Sequence, residues 1–476
     1  MFFPKDRIHE WRPGYPCHFD IKYTLGTDIY IEAVTYWKKE ARVILKKDIE
    51  PVEVNNQLRR MIKLAFYKIL LDVLEEIPKP WGILTGVRPS KIMHRLLDKG
   101  WDYGQIHSYL IDEFAVSRTK ACLLEEIVQL QRPILNKAQG KKLGVSLYIG
   151  VPFCPSKCLY CSFPSYDMVK HAGKIQGFFE KLINELTQFR NLFDNNSFVI
   201  QAIYIGGGTP TILNYNQLEG LLKTLDYFVT PDLKEFTLEA GRPDTISDAK
   251  MNLAKKYNVT RISVNPQSMQ QQTLDKIGRR HTTAQVIAAV DMVKNYNFKL
   301  NMDLILGLPG ENLDMVEDTL SSILQLEPHN ITAHTLAIKT ASLLRRSEVI
   351  MPDNKSVIKM TELCSRMLKK QNYRPYYLYR QKRILADMEN IGYSLKGEES
   401  WYNIVIMEEK QTIIGFGCGA ASKFINPKTY EIIAVSYNPK DPLIYMQRDT
   451  LVNDKINYLD KLLALKGDEN HVNKKA

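Results

Sequence analysis

Three cysteines stand within eight residues in the segment 150-GVPFCPSKCLYCSF-163, although the 476-residue chain holds only seven. Cys154, Cys158 and Cys161 therefore share one short loop, and thiolates so placed bind zinc or an iron–sulfur cluster. A structural zinc site takes four ligands, usually as two pairs. No second pair stands nearby, since the other cysteines are scattered singles that are more typical of small buried side chains: Cys17, Cys122, Cys364 and Cys418. The pattern favours a four-iron cluster whose fourth iron is left open for catalysis.

A glycine run and a carboxylate follow the next two predicted strands. The segment YIGGGTPT places Gly207, Gly208 and Thr209 at a strand end, where glycines let a ligand approach the backbone closely. Glu239 ends the following strand, and a carboxylate at that position can bind ribose hydroxyls. Taken alone, the glycine run is more typical of a plain turn, and Glu239 is equally compatible with a surface charge.

Further polar residues stand at later strands. Gln267 follows the fourth strand, and Arg279 comes twelve residues later. An arginine fork suits a carboxylate ligand, and the neighbouring Arg280 is an alternative for that role. Asp303 lies inside an apolar strand, where a carboxylate is costly unless it binds a polar partner.

These residues need a scaffold in which the strand ends converge. From residue 143 onward, six predicted strands alternate with strongly periodic helices, which indicates a parallel α/β sheet with right-handed crossovers. In such sheets ligands bind at the carboxyl ends of the strands. The predicted strands cover residues 145–149, 198–205, 235–238, 261–264, 300–306 and 331–338.

The regions on either side of the repeats look different. Residues 1–142 predict an α+β domain, with strands in DIYIEAVTYW and ARVILKKDI and a helix that ends before Pro78. Its last part, NKAQGKK at 136–142, is typical of a linker. Residues 143–344 form the repeat domain, and residues 345–476 are predicted to be a mixed region that covers the substrate.

Composition limits the class of protein. The chain is 45% hydrophobic and 25% charged, its net charge is +11, and its N-terminus lacks the apolar segment of a signal peptide. No apolar run is long enough to span a bilayer. We expect a cytoplasmic monomer, and nucleic acid is an unlikely partner because no basic block interleaved with aromatics is present.

The cysteine loop resembles that of the radical S-adenosylmethionine (SAM) superfamily, which carries Cys-x3-Cys-x2-Cys with an aromatic residue, here Tyr160, before the last cysteine. The resemblance implies a partial (β/α)6 TIM-like barrel and a [4Fe–4S] cluster whose open iron binds SAM. It also implies reductive cleavage of SAM to a 5′-deoxyadenosyl radical, with an electron donor such as flavodoxin or ferredoxin.

The full motif set is most similar to the oxygen-independent coproporphyrinogen III oxidase (dehydrogenase) group. Tyr148 stands six residues before Cys154, and LTGVRPSK, SFPSY and EAGRPDT resemble the HemZ-type branch. In this group two SAM molecules bind, so the chain is expected to bind one or two. The resemblance assigns the cluster-bound SAM to Tyr148, Gly207 and Glu239, and the second to Tyr160, Gly208, Thr209, Gln267, Arg279 and Asp303.

The implied reaction is the oxidative decarboxylation of coproporphyrinogen III propionates to vinyl groups, which gives protoporphyrinogen IX. Candidates for propionate contacts are Arg88, Lys91, Arg374 and Arg380; no catalytic residue is assigned. Two positions depart from the best-known members of the group. Gly150 replaces a histidine, and Phe163 replaces a fourth cysteine that is not a cluster ligand in the family.

Two alternatives remain open. HemW-type haem chaperones share the barrel, but their His-Asn-x-x-Tyr-Trp motif has no clear match in this chain. A radical SAM enzyme with another substrate, a tetrapyrrole or a tRNA, also fits the cysteine loop. The aromatic segment YRPYYLYRQ at 373–381 either lines a flat pocket or packs in the core.

Overall fold

The computed structural model describes residues 19–36, 38–48, 54–138, 142–163, 165–193 and 198–467. The chain divides into two compact units, Met1–Glu126 and Ile127–Ala476. Cys17, the N-terminal sixteen residues and positions 139–141 of the predicted linker lie outside the described residues. The domain boundaries predicted at 142 and 344 stay predictions.

The first unit pairs a small antiparallel sheet with helices. The sheet has the order β1-β2-β3, and its middle strand alternates buried and half-buried residues because one face packs on helix α1. The predicted helix is confirmed and ends ahead of Pro78. The elements are β1 (Phe19–Leu25), β2 (Asp28–Thr35), β3 (Ala41–Asp48), α1 (Val54–Leu74), α2 (Ser90–Asp98), α3 (Tyr103–Phe114) and α4 (Arg118–Ala138), which runs past Glu126.

The second unit contains the six predicted βα repeats, so the predicted α/β fold is confirmed. Six consecutive strands pair in parallel, in the order β4-β7-β8-β9-β10-β11, and are buried almost throughout. They are β4 (Leu143–Val151), β7 (Phe198–Gly207), β8 (Glu235–Glu239), β9 (Arg261–Ser263), β10 (Lys299–Leu306) and β11 (Asn330–Thr335). Two short strands, β5 (Phe153–Cys154) and β6 (Tyr166–Asp167), bracket the cysteine loop.

The helices of the repeats bring the chain back to start each new parallel strand. Several begin with side-chain caps, such as Asn214 on α6 and Thr282 on α9, which satisfy the first free amides. The helices are α5 (Met168–Phe193), α6 (Tyr215–Asp226), α7 (Asp248–Lys256), α8 (Gln271–Lys276), α9 (Thr283–Asn295) and α10 (Leu313–Gln325).

The C-terminal segment extends the same sheet at both edges. β13 pairs antiparallel with β11 and carries β12, whereas β14 pairs parallel with β4 and carries β15 and β16, which makes an eleven-stranded sheet. The elements are α11 (Asn354–Lys370), β12 (Arg374–Tyr379), β13 (Asn390–Ser394), α12 (Trp401–Glu408), β14 (Thr412–Gly417), β15 (Ala421–Ile425), β16 (Ile432–Tyr437), α13 (Pro442–Gln447) and α14 (Leu451–Gly467).

Burial tests the prediction for three of the isolated cysteines. Cys364 and Cys418 are buried, as the sequence predicts for isolated cysteines, but Cys122 is exposed on α4, so its prediction is wrong. None of the described helices is long and apolar enough to cross a membrane. The cytoplasmic location and the monomeric state stay predictions.

Candidate active site

The cysteine loop is held by backbone hydrogen bonds to the glycine run. The amide of Gly208 donates to the Val151 carbonyl at 2.7 Å, and the amide of Thr209 donates to the Phe153 carbonyl at 2.8 Å. The Thr209 hydroxyl also lies 3.4 Å from the Cys154 sulfur. Because these contacts join the ends of β4 and β7, the loop is fixed against the sheet.

All three loop cysteines line one cavity of about 520 Å³. Burial raises the pKa of the Cys154 thiol to about 12 and also raises the pKa of Cys161. Buried thiols of this kind ionise when a metal centre compensates the charge. The donor set of three sulfurs is the one that an iron–sulfur cluster takes.

The spacing of the loop cysteines differs from that of a single-ion site. Among the described residues, no group of three or more His, Cys, Asp or Glu side chains is close enough to hold one metal ion. A four-iron cluster attaches each cysteine to a different iron and therefore does not require such an approach. A Cβ on Gly208 would lie 2.5 Å from the Phe153 carbonyl oxygen and 3.0 Å from the Cys154 sulfur, so glycine keeps this side of the loop clear.

Glu239 lies at the end of β8 next to the glycine run. One carboxylate oxygen accepts a 2.5 Å hydrogen bond from the Tyr204 hydroxyl, and the other accepts from the Gly207 amide at 3.2 Å. Burial raises the pKa of Glu239 to about 7, although the Tyr204 hydrogen bond acts in the opposite direction. A carboxylate that is buried and has only two donors retains lone pairs for further hydroxyl groups.

A stack of three tyrosines lies beside Glu239. The Tyr204 ring stacks on Tyr402 with the centroids 4.5 Å apart, and Tyr148 stacks on both at 6.2 and 6.5 Å. Tyr148 and Tyr204 are register partners on adjacent strands, whereas Tyr402 comes from α12 in the C-terminal segment.

Gln267 and Arg279 form the next part of the cavity wall. Gln267 adopts a left-handed backbone conformation (φ 68°), and its side-chain oxygen is buried without a hydrogen-bond partner within the described structure. Arg279 is buried and donates to the Gly241 and Asn265 carbonyls at 2.7 and 2.5 Å and to the Tyr160 hydroxyl at 3.1 Å. An unpaired buried carbonyl is unfavourable unless a ligand completes it, so Gln267 points to a polar ligand.

Asp303 belongs to a polar cluster that also lines the cavity. The Asn301 amide donates to Asp303 at 2.9 Å, and His334 Nε2 lies 3.7 Å from the other carboxylate oxygen. His334 Nδ1 lies 3.2 Å from the Tyr379 hydroxyl. The cluster thus links β10, β11 and β12 at one edge of the cavity.

Comparison with known proteins gives concordant matches. The family model of the radical SAM superfamily matches residues 148–323. The Bacillus subtilis protein HemZ, named oxygen-independent coproporphyrinogen-III oxidase-like, is 39% identical over 431 residues, which cover 89% of this chain and 86% of HemZ.

The chain belongs to the radical SAM superfamily. Within it, the haem chaperone HemW of Lactococcus lactis is 31% identical over 282 residues, covering 58% of this chain and 69% of HemW. The structure of Escherichia coli coproporphyrinogen III oxidase, HemN, is also similar, with a TM-score of 0.53 and 20% identity. The match covers 67% of this chain and 71% of the HemN chain. That likeness shows a shared fold. Membership of the superfamily implies a [4Fe–4S] cluster and SAM.

The structure brings every predicted radical SAM site residue to the same cavity. Arg279 lines the cavity, whereas Arg280 is exposed and is not among the lining residues. The role of either arginine as a carboxylate ligand stays a prediction. Of the predicted propionate contacts, Arg374 and Arg380 are not among the lining residues, and Arg88 and Lys91 belong to the first unit. All four contacts stay predictions. The predicted residues that line the cavity are Tyr148, Cys154, Cys158, Tyr160, Cys161, Gly207, Gly208, Thr209, Glu239, Gln267, Arg279 and Asp303.

Other lining residues were missed by the sequence argument. Arg242 and Asn265 follow strands β8 and β9, so the rule of strand ends signals them in the same way as the predicted ones. Residues from 345 onward carry no such local signal. The segment 373–381 contributes both to the core and to the cavity lining. Tyr376 and Tyr377 are buried in one hydrophobic cluster against which Tyr379 packs, and Tyr377, Tyr379 and Gln381 also line the cavity.

Proposed function

We propose that this chain is a radical SAM enzyme that oxidatively decarboxylates propionate side chains of coproporphyrinogen III and gives protoporphyrinogen IX. The observation that carries the proposal is that the three loop cysteines and several stacked tyrosines line the same cavity. The name of the relative HemZ supports the substrate class.

The chain's residues divide between cofactor and substrate. Cys154, Cys158 and Cys161 would hold the cluster, and Tyr148, Gly207 and Glu239 beside them would bind the first SAM. Arg279 and Gln267 offer a buried cation and an unpaired carbonyl, which would suit a second SAM together with Tyr160, Gly208, Thr209 and Asp303. When bound, the cluster and SAM supply a 5′-deoxyadenosyl radical that takes one hydrogen atom from the substrate.

Other residues that line the cavity suit a flat, anionic substrate. The rings of Tyr377 and Tyr379 are nearly parallel, with an angle of 3° and centroids 6.4 Å apart. Lys339 lines the same cavity, is half-buried, and forms no ion pair with a carboxylate in the described part of the chain. Its ammonium group would bind a propionate carboxylate. Each reacting propionate loses a hydrogen atom, one electron to an acceptor, and CO2, which leaves a vinyl group.

Haem binding is the second candidate, because several haem chaperones named HemW match the chain. The match to HemZ reaches further. The second unit makes up 350 of 476 residues, so the match to HemZ, which covers 89% of this chain, must extend into the first unit. The match to HemW covers 58% of this chain and need not do so. We therefore place the oxidative decarboxylation first.

An anaerobic turnover assay tests the proposal. The reconstituted protein is given SAM, a reductant, an electron acceptor and coproporphyrinogen III, and 5′-deoxyadenosine and tetrapyrrole masses are followed together. We expect 5′-deoxyadenosine to accumulate while each reacting propionate loses CO2 and two hydrogens. Cys158→Ala should abolish both, whereas Cys364→Ala, which removes a buried cysteine outside the site, should retain both.

Two results would contradict the proposal. 5′-Deoxyadenosine formed without change in the porphyrinogen would indicate another substrate. An intact cluster that forms no 5′-deoxyadenosine while the protein binds haem stoichiometrically would favour the chaperone.

A further inference from the structure

The first unit contains a second cavity, of about 320 Å³, which shares no lining residue with the cavity of the cysteine loop. One wall is a face of α1 that carries Asn56, Arg59, Arg60 and Lys63, and the other is the segment 83–86, which opens the LTGVRPSK motif. Phe114 completes the lining. The volume lies near the lower end of the range for small-ligand sites, roughly 300 Å³ and above.

The cations on α1 form an unfavourable arrangement in the absence of a ligand. Arg59 and Lys63 are four residues apart on one helix face, both are exposed, and neither forms an ion pair in the described structure. Like charges at this spacing repel each other and weaken a helix. An anion bound between them would relieve that repulsion.

The buried carboxylate beneath this face does not neutralise Arg59 and Lys63. Glu113 accepts a 2.6 Å hydrogen bond from Arg60 Nε and also pairs with Lys47. One negative charge is therefore already shared by two other cations.

The opposite wall adds uncharged donors. Thr85 and Gly86 are exposed, and their amides donate to no backbone carbonyl in the described structure. Free amides next to cationic side chains are the donor set that proteins use for phosphate oxygens. Ile83 and Leu84 add apolar surface for an organic group.

We propose that this cavity binds the phosphate group of a small phosphorylated metabolite. Arg59 and Lys63 supply two positive charges that match a phosphate dianion, and the amides of Thr85 and Gly86 supply further donors. The apolar residues at the base of the cavity contact the organic part of the ligand.

Isothermal titration of the full-length protein with inorganic phosphate and with glycerol 3-phosphate tests this site. Neither probe contains adenine, so neither resembles SAM. Two variants alter the cavity in different ways. The double variant Arg59→Ala/Lys63→Ala removes charge, and Gly86→Leu fills space without removing charge, since a Cβ on Gly86 meets no atom within 4 Å.

Each variant has a matched control in the same unit. Lys68→Ala removes an exposed lysine of α1 that does not line the cavity, and Gly26→Leu adds a side chain at another open glycine. We expect glycerol 3-phosphate to bind more tightly than phosphate, to bind both controls as it binds the unaltered protein, and to bind both cavity variants at least about tenfold more weakly. Thermal unfolding of each variant shows whether it is folded.

Four outcomes would overturn the proposal. The first two are that neither probe binds at millimolar concentration, and that the folded cavity variants bind glycerol 3-phosphate with unchanged affinity. The other two are that citrate displaces glycerol 3-phosphate as well as phosphate does, and that single-stranded RNA competes for the site and binds much more tightly. Equal displacement by citrate would indicate a general anion patch, and tight RNA binding would indicate a nucleic-acid surface.

Discussion

At the scale of single residues, burial controls the charge of the site. Glu239 is surrounded by tyrosine rings and backbone, and the raised pKa of about 7 follows from the loss of water around its carboxylate. Tyr204 and Gly207 compensate part of that loss with hydrogen bonds. A hydroxyl-bearing ligand would donate a further hydrogen bond and favour the ionised form of Glu239.

This predicts a pH dependence of stability with a defined sign. Since the pKa of Glu239 in the folded state, about 7, exceeds its ordinary value of 4.5, the folded state holds the proton more tightly. The contribution of Glu239 to the free energy of unfolding is therefore greatest below pH 4.5. This contribution falls by up to about 3 kcal/mol as the pH rises to 7. Denaturant unfolding of the cofactor-free protein and of Glu239→Gln across this range measures the effect. Between pH 4.5 and 7, the free energy of unfolding of the unaltered protein should fall relative to that of Glu239→Gln, which does not titrate at this position. A difference between the two proteins that stays constant over this range would contradict the prediction.

At the scale of elements, the C-terminal strand β14 fixes the end of β4. Gly417 pairs in register with Gly150 and has a positive φ of 83°, and a Cβ on Gly417 would overlap the Gly150 carbonyl oxygen. A side chain at Gly150 would in turn lie 3.0 Å from the Cys418 carbonyl oxygen. Gly150, which stands where the best-known members of the group carry histidine, thus lies where two backbone segments pack closely next to the cysteine loop.

A buried ion pair supports this contact. Glu185 of α5 accepts from the Gly417 amide at 2.9 Å and from the Tyr445 hydroxyl at 2.7 Å. Lys455 of α14 is fully buried and donates to Glu185 at 2.6 Å, to Asn438 and to the Leu451 carbonyl. Four elements are therefore joined at one carboxylate.

Removing the lysine should destabilise the second unit strongly. Lys455→Met leaves the Glu185 charge buried without a cation, which costs about 3–5 kcal/mol of unfolding free energy. The exposed Lys461 on the same helix provides the control, since Lys461→Met should change stability by less than about 0.5 kcal/mol. Chemical denaturation measures both, and adding Glu185→Leu to Lys455→Met should recover part of the loss. A cost below about 1 kcal/mol for Lys455→Met would show that the pair contributes little.

At the scale of the whole molecule, the C-terminal segment is part of the site's scaffold. Its strands flank the six parallel strands at both edges of one sheet, and it supplies Tyr377, Tyr379 and Tyr402 to the cavity. A parallel sheet is stable when both faces and both edges are covered. The six repeats therefore depend on residues that follow them in the chain.

A truncated chain tests that dependence. A protein that ends at Arg346 loses β12 to β16 and exposes the edges of β4 and β11, so we expect aggregation and no cooperative thermal transition. A chain that ends at Gly467 keeps every described element and should unfold cooperatively. Calorimetry and size-exclusion chromatography distinguish the two cases. A cooperative transition in the shorter protein would show that the six repeats fold alone.

The amino-acid sequence by itself determined the local parts of this protein. The spacing of Cys154, Cys158 and Cys161, the periodic helices and the polar residues at strand ends are all short-range signals, and each led to residues that line one cavity. The six parallel strands followed from the same alternation, because a helix between two strands imposes a crossover.

Only the tertiary structure decided which distant segments complete the cavity. Nothing local in β14 predicts that it pairs with β4, more than 250 residues earlier, and nothing local in α12 predicts that Tyr402 stacks on Tyr204. The burial of Arg279, whose guanidinium donates to the carbonyls of Gly241 and Asn265, likewise depends on residues distant in the sequence. Strand pairing and burial depend on contacts between residues far apart in the chain, and short sequence patterns do not predict those contacts.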